Sequence, residues 1–340
     1  VEWGPIYLAA GVTTVRDCGN EFDFITTVRD ALQSGRGIGP RLLIAGIVDG
    51  TGPISLGAIT ADTPEQARTV VRRYKEAGAV QIKIYSSMKP KLVPVIAEEA
   101  HKLGLTVTGH IPEGMTTSQA VDAGYDSVNH ISFVARDLLH MERDKPIPPI
   151  DFTTPDAKKQ LDLFKFHHTV FDDTIALFET LSRSSETPLA TLEPGIEHVA
   201  PALASALNET GAPPAKAAEA AKRYAALLAT LRELHKEGLT IMAGTDQDVP
   251  GYSLHRELEI YVQAGFTPME ALQAASIVPA RLLKLDKELG TVEVGKRADM
   301  LLLDADPLAD IHNTRRIAKT ISGGVVYDPA PLWRSVGFTP

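Results

Sequence analysis

The sequence predicts an α/β chain: a (β/α)8 TIM-type barrel whose first strand is missing from this chain, followed by a small β-sandwich domain formed by the C-terminal segment. Three observations carry this reading. Short β-branched runs alternate with longer amphipathic stretches through most of the 340 residues, as parallel strands covered by helices require. The first strand runs into Asp17-Cys18-Gly19-Asn20, which lacks the glycine-rich phosphate loop of the competing open, doubly wound sheet. Beyond about residue 285 the texture changes to β-branched runs punctuated by glycine. The boundary is placed between residues 1–286, the barrel, and 287–340, the C-terminal part of a composite β-sandwich.

Taken in order, the chain opens in a predicted helix, Gly4 to Gly11. The strand candidates are Thr13–Asp17, Leu42–Gly46, Gln81–Tyr85, Thr106–His110, Ser127–His130, His168–Asp173 and Thr240–Asp246. Seven strands leave a full barrel one short, and the missing one is expected ahead of Val1. Pro64–Ala77 and Ala215–Glu237 carry apolar residues at helical spacing. Thr63-Pro64 and Thr267-Pro268 read as a capping residue followed by proline in the first helical turn. Gly78, Gly104, Gly124 and Gly238 each read as a helix end before a strand. Met141–Lys159, rich in Pro, Asp and Lys, reads as an insertion ahead of the last two strands. Gly290–Asp304 and Ile317–Tyr327 read as β-hairpin material.

Composition narrows the function classes. There are 34 Lys+Arg against 43 Asp+Glu, a formal net charge of −9, which argues against non-specific nucleic-acid binding. No apolar run approaches the roughly 20 residues that span a bilayer, so no membrane partner is expected. The single cysteine, Cys18, excludes an intrachain disulfide framework and a thiolate zinc cluster. A signal peptide would have to lie upstream of Val1, so cytoplasmic and exported locations both stay open, as does assembly into a homo-oligomer.

In a barrel, reactive groups sit at the C-terminal ends of the strands. Four strand candidates end in or near a metal-capable residue: Lys83, His110, His130 and Asp246. Two imidazoles and a carboxylate suit a borderline cation such as zinc. Lys83 lies between Ile82 and Ile84 and faces opposite to them, into the barrel if those two face the helices. A buried lysine is costly unless paired or neutralised. It is therefore either salt-bridged, to Asp17 or Asp246, or converted to a carbamate that ligates metal.

Together Gly11–Asp17 (GVTTVRD), Gln81–Ser87 (QIKIYSS), Gly109–Pro112 (GHIP), Asn129–Ser132 (NHIS), Ala243–Asp246 (AGTD), His255–Leu258 (HREL) and Gly290–Leu303 resemble the amidohydrolase superfamily, its imidazolonepropionase-like and Xaa-Pro dipeptidase-like members in particular. The resemblance implies a carboxylated lysine on strand 4, histidines on strands 5 and 6 and an aspartate on strand 8. Shifting the strand list by one for the absent first strand assigns these to Lys83, His110, His130 and Asp246. It further implies two divalent ions, most simply zinc, in a complete centre, with carbon dioxide taken up as the lysine carbamate bridging them. Asp246 would be general base and then acid in hydrolysis of an amide or peptide bond, in a substrate of dipeptide or N-acyl amino acid type. Tyr85, two residues after Lys83 and on the same face, is a candidate donor to a substrate carboxylate, with a packed rim tyrosine as the competing account.

The sequence also departs from the family pattern. The family's His-x-His pair at the end of strand 1 has no counterpart here, so one of the two ions lacks two usual ligands. His167 and His168 are adjacent, face opposite ways on a strand, and are expected to be a surface and a packing residue. Asp173 stands where relatives show proline, altering either the pocket wall or only the turn. His255 and Glu257 are expected to organise the loop after the last strand. His101, His140, His198, His235 and His312 are read as surface or packing residues, and Cys18 lacks an assignable base. Two other readings stand beside the hydrolase: a non-catalytic or truncated barrel that binds metal weakly, and a deaminase or cyclic-imide hydrolase of the same superfamily.

Overall fold

The computed structural model describes residues 3–52, 54–55, 59–142 and 145–340. The strands in chain order are β1 (Thr14–Asp17), β2 (Arg41–Asp49), β3 (Ile59–Thr60), β4 (Gln81–Ile84), β5 (Thr106–Gly109), β6 (Ser127–Asn129), β7 (Val170–Asp172) and β8 (Thr240–Met242), then β9 (Met300–Leu303), β10 (Ile317–Ser322) and β11 (Val325–Tyr327). β1, β2, β4 and β5 pair side by side in parallel, and β6, β7 and β8 do the same. The two groups join where the Asp126 amide donates to the Val107 carbonyl at 2.9 Å and the Val107 amide donates to Asp126 Oδ2 at 2.7 Å. The result is the strand core of a (β/α)8 barrel with one strand fewer than eight among the described residues. The short β3, pairing only with β2, has no sequence signal strong enough to predict it.

Apart from β2, the barrel strands are short because helices and their end signals follow closely. Thr63 and Thr267 both form capping boxes, with Gln66 and Glu270, and proline occupies the first turn in each case. The four helix-ending glycines have φ of +82°, +77°, +111° and +73°, a conformation that costs a side chain. Helices pack closely on the outer face of the sheet. A Cβ on Gly46 of β2 would stand 2.2 Å from the Tyr74 ring, so only glycine admits the helix Pro64–Glu76 at this distance. Ile82, Ile84, Val107, Val128 and Phe171 are buried in that interface.

The inner face of the ring is polar, and its groups bond one another, leaving Asp172 Oδ1 as a buried oxygen without a partner. Arg16 of β1 donates to Asp172 Oδ2 of β7 at 2.6 Å and to Gln81 Oε1 of β4 at 2.8 Å. Gln81 Nε2 donates to Thr106 Oγ1 at 3.0 Å. Asn129 Nδ2 of β6 donates to the same Asp172 oxygen at 2.7 Å, and Thr108 Oγ1 donates to Asn129 Oδ1 at 3.2 Å. Five strands are thereby tied across the interior rather than only edge to edge.

The C-terminal segment differs in part from expectation. Ile317–Tyr327 forms the expected antiparallel hairpin, β10 and β11. Gly290–Asp304 does not form a hairpin: only Met300–Leu303 is a strand, and it pairs antiparallel with β10, because residues 290–299 run in turns and open loop. The resulting three-stranded sheet sits near the N-terminal helix Gly4–Ala9, whose Ile6 and Leu8 share a second apolar cluster with Leu332, Trp333 and Phe338. The expected insertion, Met141–Lys159, is open chain up to the helix Pro155–Phe166, with residues 143–144 outside the described set. His167 and His168 lie in the turn after that helix and not on β7 as the sequence suggested, since the helix runs to Phe166 and β7 begins only at Val170. His167 pairs with Asp122 at 2.9 Å.

Two stability predictions follow from the interior. Arg16→Ala strands a buried carboxylate at Asp172, and chemical denaturation should show a loss of about 3–5 kcal/mol. The exposed pair Lys102–Glu98 is the control, and Lys102→Ala should cost no more than about 0.5 kcal/mol. Asp173 is buried with neither carboxyl oxygen partnered, and burial, then the Asp172 charge, pushes its acid well up. The folded state therefore keeps a proton that the unfolded chain releases above about pH 4. Stability from this group is complete below that pH and drains away as pH rises toward the folded value. Asp173→Asn should match the parent near pH 4 and exceed it at pH 8 in urea midpoint.

Candidate active site

Strand ends β4, β5, β6 and β8 deliver the four predicted residues to one rim, but not all to one point. His110 follows β5 and His130 follows β6, and their Nε2 atoms face each other at 3.0 Å. Both Nδ1 atoms are held by hydroxyls: Ser86 Oγ lies 2.9 Å from that of His110, and Thr174 Oγ1 lies 2.9 Å from that of His130. With Nδ1 occupied, Nε2 of each ring is the atom left to bind something between them.

Asp246 lies beyond the end of β8, which stops at Met242, and not on the strand as expected. Its backbone turns left-handed at φ +44°, followed by Gln247 and Asp248 with φ of +79° and +35°. The exposed carboxylate reaches to 3.9 Å from His130 Nε2. Lys83 is buried on β4 and shows no ion pair with Asp17 or Asp246. Its ammonium lies 5.9 Å from the centre of the Tyr85 ring, and Tyr85 in turn packs against His110 with ring centres 4.1 Å apart. The salt-bridge account of Lys83 thus has no partner among the described residues.

The electrostatics favour neutral imidazoles. Burial, the neighbouring His130 and Lys83 together push His110 down to about 2. Burial and Lys83 lower His130 as well, against the opposing pull of Asp246 and Asp172. Neutral imidazole is the form that ligates a metal. Burial first, then the charges of Asp246 and Asp49, pushes the Tyr85 phenol up, so it stays a hydrogen-bond donor at neutral pH.

Sequence reasoning missed the residues that surround the pair. Phe133 lies 5.3 Å from His110 and 6.3 Å from His130, and Phe178 lies 6.3 Å from His130, all between ring centres. They form an aromatic wall that no spacing rule picks out. Ser86 lies within the Gln81–Ser87 motif and Thr174 just past the strand candidate His168–Asp173, yet only the fold shows which hydroxyl meets which ring. His255, on the helix Ser253–Gln263, bonds Thr314 Oγ1 of the C-terminal segment at 3.0 Å rather than the loop after β8, and His101 bonds Asp126 at 2.8 Å.

The donor set suits one cation better than two. The facing Nε2 atoms and the nearby Asp246 carboxylate are the right chemical types for zinc. Yet among the described residues no group of three or more His, Cys, Asp or Glu side chains stands close enough together to hold a metal ion. Among the described residues no further ligand group stands beside this pair for a second ion.

Comparison with known proteins fits this geometry. The chain superposes on the crystal structure of a Xaa-Pro dipeptidase with methionine bound in its active site, with a TM-score of 0.71, 23% identity, and coverage of 96% of this chain and 78% of that one. It superposes on Aspergillus niger ochratoxinase with a TM-score of 0.70 and 21% identity, over 96% of this chain and 74% of that one. At such identities these are likenesses of fold. In sequence, Aspergillus niger ochratoxinase is 25% identical over 278 residues, 77% of this chain and 48% of that protein. The imidazolonepropionase of Thermoanaerobacter pseudethanolicus is 34% identical over 85 residues, 24% of this chain and 20% of that protein. The chain spans about half the length of the ochratoxinase that it matches. The amidohydrolase family model matches residues 7–327, nearly the whole chain. On that match the chain belongs to the amidohydrolase family, hydrolases that act on carbon–nitrogen bonds.

Proposed function

We propose that this chain carries the site of a metal-dependent amidohydrolase that cleaves an amide or peptide bond in a small substrate bearing a free carboxylate, of dipeptide or N-acyl amino acid type. The observation that carries the reading is the opposed pair of imidazoles: two Nε2 atoms 3.0 Å apart, each with its Nδ1 taken by a hydroxyl. Names among the relatives point the same way, since a Xaa-Pro dipeptidase shares the fold.

A divalent ion held by His110 and His130, zinc being the best chemical match, would supply Lewis acidity to polarise the scissile carbonyl and acidify a water. The chain's own groups do the rest. Asp246, exposed at the rim, takes the proton from the attacking water at its carboxylate and returns it to the departing nitrogen. Tyr85 donates its phenol to the substrate carboxylate. Phe133 and Phe178 shield the imidazole pair from bulk water. Lys83, buried without a carboxylate partner among the described residues, is the residue open to carboxylation by carbon dioxide: its ammonium gives up one proton to solvent, the freed amine adds to the carbon, and loss of a second proton leaves an anionic carbamate. No step is assigned to a second ion. Lys83 on its strand end also argues for amide hydrolysis over deamination, because the superfamily's deaminases commonly do without a lysine ligand.

One observation favours a second reading, a chain that binds metal weakly and does not turn over: Asp246 stands 3.9 Å from His130, and no third ligand among the described residues closes the group.

Two experiments separate these. Zinc titration of the metal-free chain should show about one tightly held ion, weakened by at least about tenfold in His110→Ala and in His130→Ala. Binding that is weak in the parent and indifferent to both changes supports the second reading. On a panel of dipeptides and N-acyl amino acids, Asp246→Asn in the full-length protein should lower kcat/KM by about 10²–10⁴-fold with KM little altered. Lys83→Ala should fall comparably, and an unchanged rate in either variant sinks the proposal.

A further inference from the structure

Thr174 occupies the position from which a threonine ordinarily caps a helix, here Ile175–Ser182, yet its side chain makes no cap hydrogen bond. Its backbone is left-handed, φ +48° and ψ +41°, which is strongly disfavoured for a β-branched residue. Its hydroxyl points instead at His130 Nδ1, 2.9 Å away. A carboxylate from another element does the capping. Glu257 Oε1 accepts from the Ile175 amide at 3.1 Å, and Oε2 accepts from the Ala176 amide at 2.7 Å.

Glu257 is an expensive residue to use in this way. It is fully buried, and no lysine or arginine pairs with it among the described residues. Its neighbours in sequence are paired: Arg256 forks onto Glu179 through two bonds of 2.7 Å, and Glu259 meets Arg315 at 2.6 Å. The fork locks the helix Ser253–Gln263 against the helix Ile175–Ser182, so the Glu257 carboxylate is held opposite the amides that it accepts from. Burial pushes the Glu257 acid well up and the bonds from the Ala176 and Ile175 amides pull against it, so the two hydrogen bonds that it accepts repay only part of the desolvation.

We propose that Glu257 is a positioning residue for His130: by capping the helix Ile175–Ser182 from outside, it holds Thr174 in its left-handed turn and releases the threonine hydroxyl to fix the His130 ring. The consequence for metal binding rests on the function proposed above; the coupling of Glu257 to the His130 ring does not.

The test is made on the metal-free full chain labelled with 15N-histidine, reading the ring-nitrogen shifts that report each tautomer. Thr174→Val and Glu257→Gln are compared with the parent. The glutamine side chain keeps the shape but turns an amide donor toward one backbone N–H, so one cap bond is lost. The expected result is that both variants move the His130 ring nitrogens in the same direction while His255, on the helix that carries Glu257, stays in place. Zinc affinity should fall about 10–100-fold in each. If Glu257→Gln lowers the melting temperature but leaves the His130 nitrogens at their parental shifts, Glu257 is only a helix cap and the proposal is overturned. Should the Glu257→Gln variant fail to fold, Glu257→Asp, which retracts the carboxylate by one methylene, is read in the same way. Matching His130 shifts in a chain that binds no zinc would uphold the coupling and defeat the proposed hydrolase instead.

Discussion

The ion pair between Arg16 and Asp172 spans the inside of the strand ring, and the order of the rim depends on it. Asp172 ends β7. Its Oδ2 takes both the Arg16 guanidinium and the Asn129 amide, and its backbone carbonyl takes the amide of His130 at 2.7 Å. One residue therefore fixes β7 to β1 through the barrel and fixes the exit of β6 at the point where His130 begins. The two residues after it are Asp173 and Thr174, so the pair also sets where the chain turns toward the site. A buried pair of this kind need not add net stability. What it supplies is a single register among four strands, β1, β4, β6 and β7, because each of its hydrogen bonds exists in only one alignment.

Strain at the rim is concentrated where that register ends. His130, Thr174 and Asp246 follow β6, β7 and β8, and all three have positive φ. None is a glycine, so each costs roughly 1–3 kcal/mol that other contacts must offset. The offsets are visible: the Asp172 carbonyl for His130, the Glu257 carboxylate for the turn at Thr174, and the Asp248 amide bonding back to the Asp246 carbonyl at 3.2 Å. Left-handed turns point these side chains inward over the mouth of the ring, where an extended continuation of the strand would carry them past it.

The sequence held the fold in its periodicity and punctuation. Capping threonines, first-turn prolines and helix-ending glycines are local signals, and they read correctly because few tertiary forces compete with them. Where length was the only guide, strand ends were misplaced: Leu42–Gly46 extends to Arg41–Asp49, and most of the others read too long. Thr240–Asp246 shrank to three residues, because the chain after Met242 leaves the sheet to make the left-handed turn at Asp246. The Gly290–Asp304 segment misled for a related reason: glycine between β-branched residues marks a turn, but pairing needs a partner strand, and only Met300–Leu303 finds one in β10. At the site, residue types and order named Lys83, His110, His130 and Asp246 as candidates, and the fold brings the two histidines into contact. What was illegible is everything that depends on distant chain meeting chain. Ser86 on His110, Thr174 on His130 and Glu257 on the amides of Ile175 and Ala176 join residues 24, 44 and about 80 positions apart, and no spacing rule links them.

The charge on Lys83 makes the last connection between fold and chemistry. A cation buried on β4 beside two imidazoles opposes their protonation, and burial opposes it further, so both rings are held neutral at neutral pH. Ligation of a cation by these rings then releases no proton, and the affinity of the pair does not have to work against a titration. The same lysine, if it stayed an ammonium, would repel a cation of the kind proposed to bind between the rings. Attraction and repulsion at one strand end cannot both be optimised by a fixed positive charge. The conversion to a carbamate proposed above would remove the conflict, since it would replace the repelling charge with an attracting one at the same position. The lack of an ion-pair partner for Lys83 among the described residues is consistent with that change, for a carboxylate already seated beside it would stabilise the ammonium and resist the conversion.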